Sequence, residues 1–147
     1  NFGAGNAERA NKAFKCLLSI NFIFSFFMVG TVLVFPRVFI GLFTPNTELI
    51  EAGVMPLRIY LFGMAFMGIQ SACQQAFVAT GRAKTSIFIA MLRKLILLIP
   101  LAIILPKINN WGLWGIFASE PISDIIAATT TLLLFLSVRK TIFISKK

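Results

Sequence analysis

Four long apolar segments, separated by short polar turns, organise this chain. A helix needs about 20 apolar residues to cross the hydrocarbon core of a bilayer, and each segment reaches or approaches that length. A polar, helix-permitting stretch leads into the first segment, which ends just before Pro36. The pattern therefore predicts an all-α, polytopic membrane protein with four transmembrane helices, at about residues 7–35, 54–80, 85–105 and 111–138.

The connections between these helices carry recognisable turn signals. Residues 36–53 predict a polar, turn-rich loop, within which the apolar stretch 38–43 is too short to span and is expected to lie at the membrane interface. Gly81 provides a natural C-terminal stop for the second helix and opens a basic turn. Pro100 interrupts the pattern of the third helix.

The composition supports a membrane protein and excludes a small barrel. The chain has 147 residues, of which 58% are hydrophobic and 16 are Phe. Soluble domains are about 45–50% apolar. A sheet of four strands would leave unpaired backbone groups in lipid, so it is not viable in a membrane. We therefore interpret residues 1–147 as one transmembrane segment.

The basic residues predict the orientation of the helices. The formal net charge is +9, from 14 Lys and Arg against five acids, and the basic residues lie mainly at the ends of apolar runs. This distribution favours lipid headgroups over nucleic acid as the partner. One side would carry Arg9, Lys12, Lys15, Arg82, Lys84, Arg139, Lys140, Lys146 and Lys147, and the other only Arg37 and Lys107. By the positive-inside rule, both ends are expected to be cytoplasmic in the inner (plasma) membrane.

Two acids inside the fourth apolar segment are the sharpest candidates for function. A charged side chain at membrane depth costs at least ~2.5 kcal/mol on insertion scales, so it is expected to be paired, hydrated or used. Glu120 and Asp124 are four residues apart and share one helix face. Pro121 predicts a kink that pushes Glu120 out of helical geometry. The alternative is a structural salt bridge to Arg58 or Arg93, and Asp124 is favoured for that role.

The second apolar segment contains three glutamines, which are too many for a lipid-facing surface. Gln70 and Gln74 share one helix face, and Gln75 lies on the adjoining face. They either join helices by hydrogen bonds or line a wet cavity. Gly63 and Gly68 are expected to permit close helix contact. There is no His, and Cys16 and Cys73 lack metal-ligand spacing, so we expect two inert buried thiols and neither a metal site nor a cofactor.

An ordered set of motifs resembles the multidrug and toxic compound extrusion (MATE) family of transporters. The set begins with the glycine-rich stretch 1–9, which resembles the family's YN(Y/F)GAGN…R motif. It continues through Pro36 and the sequence Ile-Gly-Leu-Phe-Thr at 40–44, Leu57-Arg58-Ile59, the turn 79–84, Leu92-Arg93, Ile99-Pro100-Leu101 and the stretch 111–124. The similarity is greatest to the bacterial MepA-like branch and covers nearly the whole chain.

The resemblance implies a fold and a function. The chain would correspond to the last four of twelve helices, within the C-terminal of two six-helix bundles. Its start without Met agrees with an expectation that it is a piece of a longer protein whose N-terminal bundle lies elsewhere. The implied activity is antiport of Na⁺ or H⁺ against cationic or amphipathic drugs, and the helix that carries the glutamines would border the central cavity.

Two other functions remain open from the sequence. A lipid-linked oligosaccharide flippase of the same superfamily would need several cationic residues in its cavity, and only Arg58, Arg93 and Lys94 are available. A non-transporting membrane scaffold is the second alternative. No nucleophile and base, metal cluster or cofactor motif indicates an enzyme.

Overall fold

The structure consists of helices joined by tight turns. A computed structural model describes residues 2–143, with side chains for all of these except residues 109 and 140–143. The α-helices in this range are α1 (Ala7–Val34), α2 (Pro36–Gly41), α3 (Thr47–Phe62), α4 (Met67–Ala79), α5 (Ala83–Met91), α6 (Ile99–Ile104) and α7 (Leu113–Phe143). They are complemented by 3-10 turns at Gly63–Phe66 and Leu105–Asn110 and by a π-helical turn at Leu92–Leu98.

Among the described residues, four helical segments are long and apolar enough to cross a membrane. These spans are Ala7–Val34, Thr47–Ala79, Ala83–Ile108 and Leu113–Arg139, called the first to fourth spans below. The prediction of an all-α protein with four transmembrane helices is therefore confirmed. In the most apolar 18 residues of each span, 39% of the residues are buried in the fourth span and none are buried in the first. The fourth span therefore lies at the centre of the bundle.

The second span begins earlier than the sequence pattern predicted. It starts at Thr47, where the pattern suggested a loop as far as Gly53. The side chain of Asn46 caps this start, because its oxygen accepts hydrogen bonds from the backbone N–H groups of Glu48 (2.9 Å) and Leu49 (3.4 Å). Glu48 also places a negative charge in the first turn, which stabilises a helix N-terminus. The loop prediction was wrong because it followed hydropathy and ignored this capping signal.

The first part of that predicted loop also contains a short helix, α2, which includes most of the apolar stretch 38–43. Pro36 occupies the first turn of α2, where its missing N–H is not needed. The apolar side chains of Val38, Leu42 and Phe43 are exposed. A helix this short cannot span a bilayer, and its position at the membrane interface stays a prediction.

The chain stays helical through Pro121, which corrects the backbone geometry predicted for Glu120. Glu120 and Pro121 both lie inside α7, so the prediction that Glu120 leaves helical geometry was wrong. Pro121 packs closely against the second span, where a Cβ added to Gly63 would collide with the Pro121 backbone. Neighbouring helices can hold a proline-containing helix together in this way.

The irregular turns occur in the second and third spans instead. The second span tightens to a 3-10 turn at Gly63–Phe66, and the third widens to a π-helical turn at Leu92–Leu98. Pro100 follows directly, in the first turn of α6. The second span ends at Ala79, and Gly81 follows as the predicted C-terminal stop with a φ of +76°. The N–H groups of Gly81 and Arg82 donate to the carbonyls of Val78 (3.0 Å) and Phe77 (2.8 Å), which is a Schellman motif.

A small aromatic core joins three spans near the chain's N-terminal end. Phe135 of α7 stacks on Phe14 of α1 with ring centroids 4.2 Å apart and meets Phe77 of α4 edge-on at 5.7 Å. Ala72, Cys73, Ala76 and Ile89 complete the buried cluster. At the same end, the Arg139 guanidinium donates to the side-chain oxygen of Asn11 (2.9 Å). These contacts fix the fourth span, which carries the two acids, against the first and second spans.

Candidate functional site

The two acids of the fourth span are buried on the face of α7 that packs against the second and third spans. Glu120 is 6% exposed and Asp124 is 1% exposed. Because they lie one helical turn apart, both side chains reach the same part of the third span. The structure therefore brings the two predicted residues into one site.

Arg93 forms the deeper part of this site. Its Nε lies 2.5 Å from Oδ1 of Asp124, and the two side chains are only 12% and 0% exposed. The hydroxyl of Ser123 donates to the Arg93 carbonyl (3.0 Å), which fixes the backbone as well. The other carboxylate oxygen of Asp124, Oδ2, is buried and accepts no hydrogen bond from the residues described. When both partners are buried in this way, removing one of them leaves the other as an unpaired buried charge, which is strongly destabilising.

Lys94 forms the outer part of the site. Its Nζ lies 2.9 Å from Oε1 of Glu120, and Nη2 of Arg93 lies 3.4 Å from the same oxygen. The Lys94 side chain is 53% exposed, whereas that of Glu120 is 8% exposed. The site thus holds two positive and two negative groups and is formally neutral, with one of its cations open to the surroundings. We call these four residues, Arg93, Lys94, Glu120 and Asp124, the charge cluster.

The π-helical turn explains how two consecutive basic residues reach the same helix. In an α-helix, neighbouring side chains point about 100° apart, so they usually face different partners. Arg93 and Lys94 lie in the π-helical turn Leu92–Leu98, whose wider turn holds more residues and narrows this angle. Both side chains therefore contact Glu120. Single π-helical turns are frequent at functional sites.

The structure distinguishes the two arginines that sequence reasoning left as alternatives. Arg93 reaches both acids, but Arg58 is exposed and its Nε donates to the backbone carbonyl of Leu33 (3.1 Å). Sequence reasoning missed Lys94 as a partner. The sequence did contain a signal for this partner, because Lys94 is a charged residue deep in an apolar run. Regular α-helical spacing, however, would direct the Lys94 side chain away from that of Arg93.

The three glutamines are divided among different surroundings. Gln70 is buried, and its Oε1 has no hydrogen-bond partner among the residues described. Gln74 donates to the carbonyl of Ser86 in α5 (3.3 Å), as expected of a side chain that joins helices. Gln75 is exposed and lines a cavity of about 420 Å³ with Phe14, Leu17 and Thr80. Among the described residues, none of the three forms a hydrogen bond with the charge cluster, and their role in a substrate pathway stays a prediction.

The cysteines and acids offer no metal centre in the part of the chain that the structure describes. No group of three or more His, Cys, Asp or Glu side chains lies close enough there to hold a metal ion. Cys73 is buried in the aromatic core, but Cys16 is exposed. The prediction of two buried thiols was therefore wrong for Cys16, because it lies on a face of α1 that nothing in the described chain covers.

Comparison with known proteins identifies the family. The MatE family matches residues 1–104, which include Arg93 and Lys94, whereas Glu120 and Asp124 lie after the matched region. The chain is also 26% identical over 133 residues to the probable multidrug resistance protein NorM of Thermotoga maritima. That similarity covers 90% of this chain but only 28% of the relative, so the chain spans little more than a quarter of the relative's length. No solved structure matches it. The chain belongs to the MatE family of transporters, and the four apolar helices among its described residues make it an integral membrane protein.

Proposed function

We propose that this chain is part of a multidrug efflux transporter that exchanges Na⁺ or H⁺ for cationic or amphipathic drugs. Membership of the MatE family and similarity to a probable multidrug resistance protein support the export of drugs. The chain would work with a further helical bundle of the same protein in the plasma membrane. Alternating access needs two bundles that move around one site, and this chain supplies part of one.

The buried charge cluster is the observation that carries the proposal for cation coupling. A buried ion pair adds little net stability compared with apolar residues of the same volume, because desolvation offsets its attraction. Stability alone therefore does not account for Glu120, whose side chain is 8% exposed and shared between two cations. Ionisable groups inside membrane segments mark ion and substrate pathways. Glu120 is thus the group that we assign to the coupling ion.

The two acids have different roles in this proposal. Asp124 is held by the buried guanidinium of Arg93 and fixes the third span against the fourth. Glu120 faces the more exposed Lys94, so its carboxylate can exchange one positive partner for another. A carboxylate can bind Na⁺ through oxygen or take up a proton. Because both reactions change the charge of the cluster, they are able to bias the packing of the third span on the fourth.

The charge cluster also disfavours the flippase alternative. A carrier of lipid-linked pyrophosphate would need cations that are free to bind phosphate. Here Arg93 and Lys94 are both engaged by carboxylates, so the cluster presents no net positive charge. The membrane scaffold is disfavoured by the family match.

A substitution at Glu120 tests the proposal in cells. Glu120→Gln keeps the shape of the side chain and removes its charge. In the complete transporter, expressed in an efflux-deficient host, we expect normal membrane abundance and loss of cation-driven drug efflux. Asp124→Asn should lower abundance more than it lowers transport per molecule, because Arg93 loses its buried partner. Full cation-dependent efflux by Glu120→Gln at normal abundance would overturn the proposal.

A further inference from the structure

We propose that Lys94 is a tethered counter-ion, whose ammonium group occupies Glu120 until a monovalent organic cation displaces it. This inference rests on the proposed function. It adds that Lys94 competes with the drug for the carboxylate of Glu120, so that the two bind it in turn. The step is an exchange of ion partners, in which Lys94 moves out as the organic cation moves in.

Burial distinguishes Lys94 from the other members of the charge cluster. The side chains of Arg93, Glu120 and Asp124 are 12%, 8% and 0% exposed, whereas that of Lys94 is 53% exposed. Its ammonium group donates to Oε1 of Glu120, at 2.9 Å. Lysine carries its charge on a flexible chain of four carbons, so its head can move without the backbone. Lys94 is therefore the cation of the cluster that can leave most easily.

The charge balance of the cluster fits an exchange of one cation for another. With Lys94 in place, two positive groups balance two carboxylates. When the ammonium moves away, Arg93 remains on Asp124 and the cluster carries one negative charge. A single monovalent cation then restores neutrality, which is required at low dielectric.

The surface around Lys94 suits an amphipathic cation better than a small hydrated one. Met91, Leu95 and Ile96, which lie close to Lys94 along the third span, are each about half exposed. Methionine side chains adapt to ligands of different shape. A lipophilic cation such as tetraphenylphosphonium could place its charge near Glu120 and its rings against these apolar side chains.

Binding of tetraphenylphosphonium to the purified complete transporter provides the test. Calorimetric titration in Na⁺-free buffer at fixed pH would compare wild type with Lys94→Met, which removes the competing charge and keeps the length of the side chain. We expect tetraphenylphosphonium to bind about three- to tenfold more tightly, since a partly exposed ion pair no longer competes. Lys84→Met is the matched control, because Lys84 is exposed in the first turn of α5, away from the charge cluster. Its affinity should equal that of wild type.

Glu120→Gln and the double variant complete the test. Tetraphenylphosphonium binding should fall at least tenfold in Glu120→Gln, and Lys94→Met should add nothing to it. If Lys94→Met fails to fold, Lys94→Gln should show the same gain in affinity. Unchanged or weaker binding in the Lys94 variants, or an equal gain in Lys84→Met, would overturn the tethered counter-ion and leave the proposed function standing. Unchanged binding in Glu120→Gln would instead contradict the assignment of Glu120 on which both rest.

Discussion

Two arginines of this chain form ion pairs, one exposed and one buried. Comparing them shows how burial changes the effect of losing one partner on stability. Arg37 pairs with Glu51 at 2.8 Å, where the side chains are 69% and 60% exposed. Arg93 pairs with Asp124 at 12% and 0% exposure. Exposed pairs contribute about 0–1 kcal/mol to stability, because water and salt screen them. Loss of one partner from a buried pair leaves an uncompensated charge and costs several times more.

We therefore predict that Arg93→Ala destabilises the protein far more than Arg37→Ala. The expected loss is about 3–5 kcal/mol for Arg93→Ala and less than about 1 kcal/mol for Arg37→Ala. Thermal unfolding of the purified variants in detergent, followed by size-exclusion chromatography, measures both. The double variant Arg93→Met with Asp124→Leu removes both charges and should recover part of the loss. Equal melting temperatures for the two alanine variants would contradict a buried structural pair.

The sequence predicted the acids of the site but not their full set of partners. Glu120 and Asp124 were evident because charges in an apolar run are expensive and their spacing places them on one helix face. Arg93 and Arg58 could not be separated by sequence, since the choice depends on how the third and second spans rotate. Lys94 was missed because, in a regular α-helix, its side chain would point in a different direction from that of Arg93. No local sequence pattern predicts a π-helical turn.

At the scale of the helices, glycine contacts set how closely the spans approach. A Cβ on Gly63 would lie 2.9 Å from Cβ of Pro121 and 3.0 Å from Cβ of Asp124, as well as colliding with the Pro121 backbone. Gly68 lies in the same way against the backbone of Asn21 and Phe22 in α1. Small residues allow helices in membranes to pack at short distance. Gly63 is therefore the contact that positions the acid-bearing part of α7.

We predict that Gly63→Ala lowers stability by about 1–3 kcal/mol, the usual effect of adding volume to a close-packed contact. Gly30→Ala is the matched control, because a Cβ at Gly30 of α1 meets nothing within 4 Å. That control should be neutral or stabilising by up to about 1 kcal/mol, since alanine favours a helix over glycine. Thermal unfolding in detergent compares the two. A Gly63→Ala variant as stable as Gly30→Ala would show that the second and fourth spans pack less closely than described.

The helices also show where sequence patterns are sufficient and where they fail. Hydropathy located all four spans, because the membrane imposes their length and apolar character. It missed the start of the second span at Thr47, which depends on the cap at Asn46 rather than on hydropathy. The proline rule predicted irregular backbone at Pro121, but α7 is helical there and Pro121 packs against Gly63.

At the scale of the whole molecule, the orientation in the membrane follows from the basic residues and stays a prediction. With both ends in the cytoplasm, Asn46 lies outside and Lys84 inside. In a background of Cys16→Ser and Cys73→Ala, a cysteine at position 46 should react with an impermeant thiol reagent in intact cells. A cysteine at position 84 should react only after the membrane is opened. Both native cysteines are replaced so that the introduced cysteine is the thiol that is labelled. The opposite labelling pattern would reject this orientation.

The central claim, that Glu120 couples cation movement to drug export, is tested most directly by transport in proteoliposomes. The complete transporter would be reconstituted and tetraphenylphosphonium transport measured under an imposed Na⁺ gradient and, separately, an imposed pH gradient. We predict that wild type transports in response to one of these gradients. Glu120→Gln, at equal protein content and equal thermal stability, should respond to neither. Gradient-driven transport by Glu120→Gln at the wild-type rate would contradict the claim.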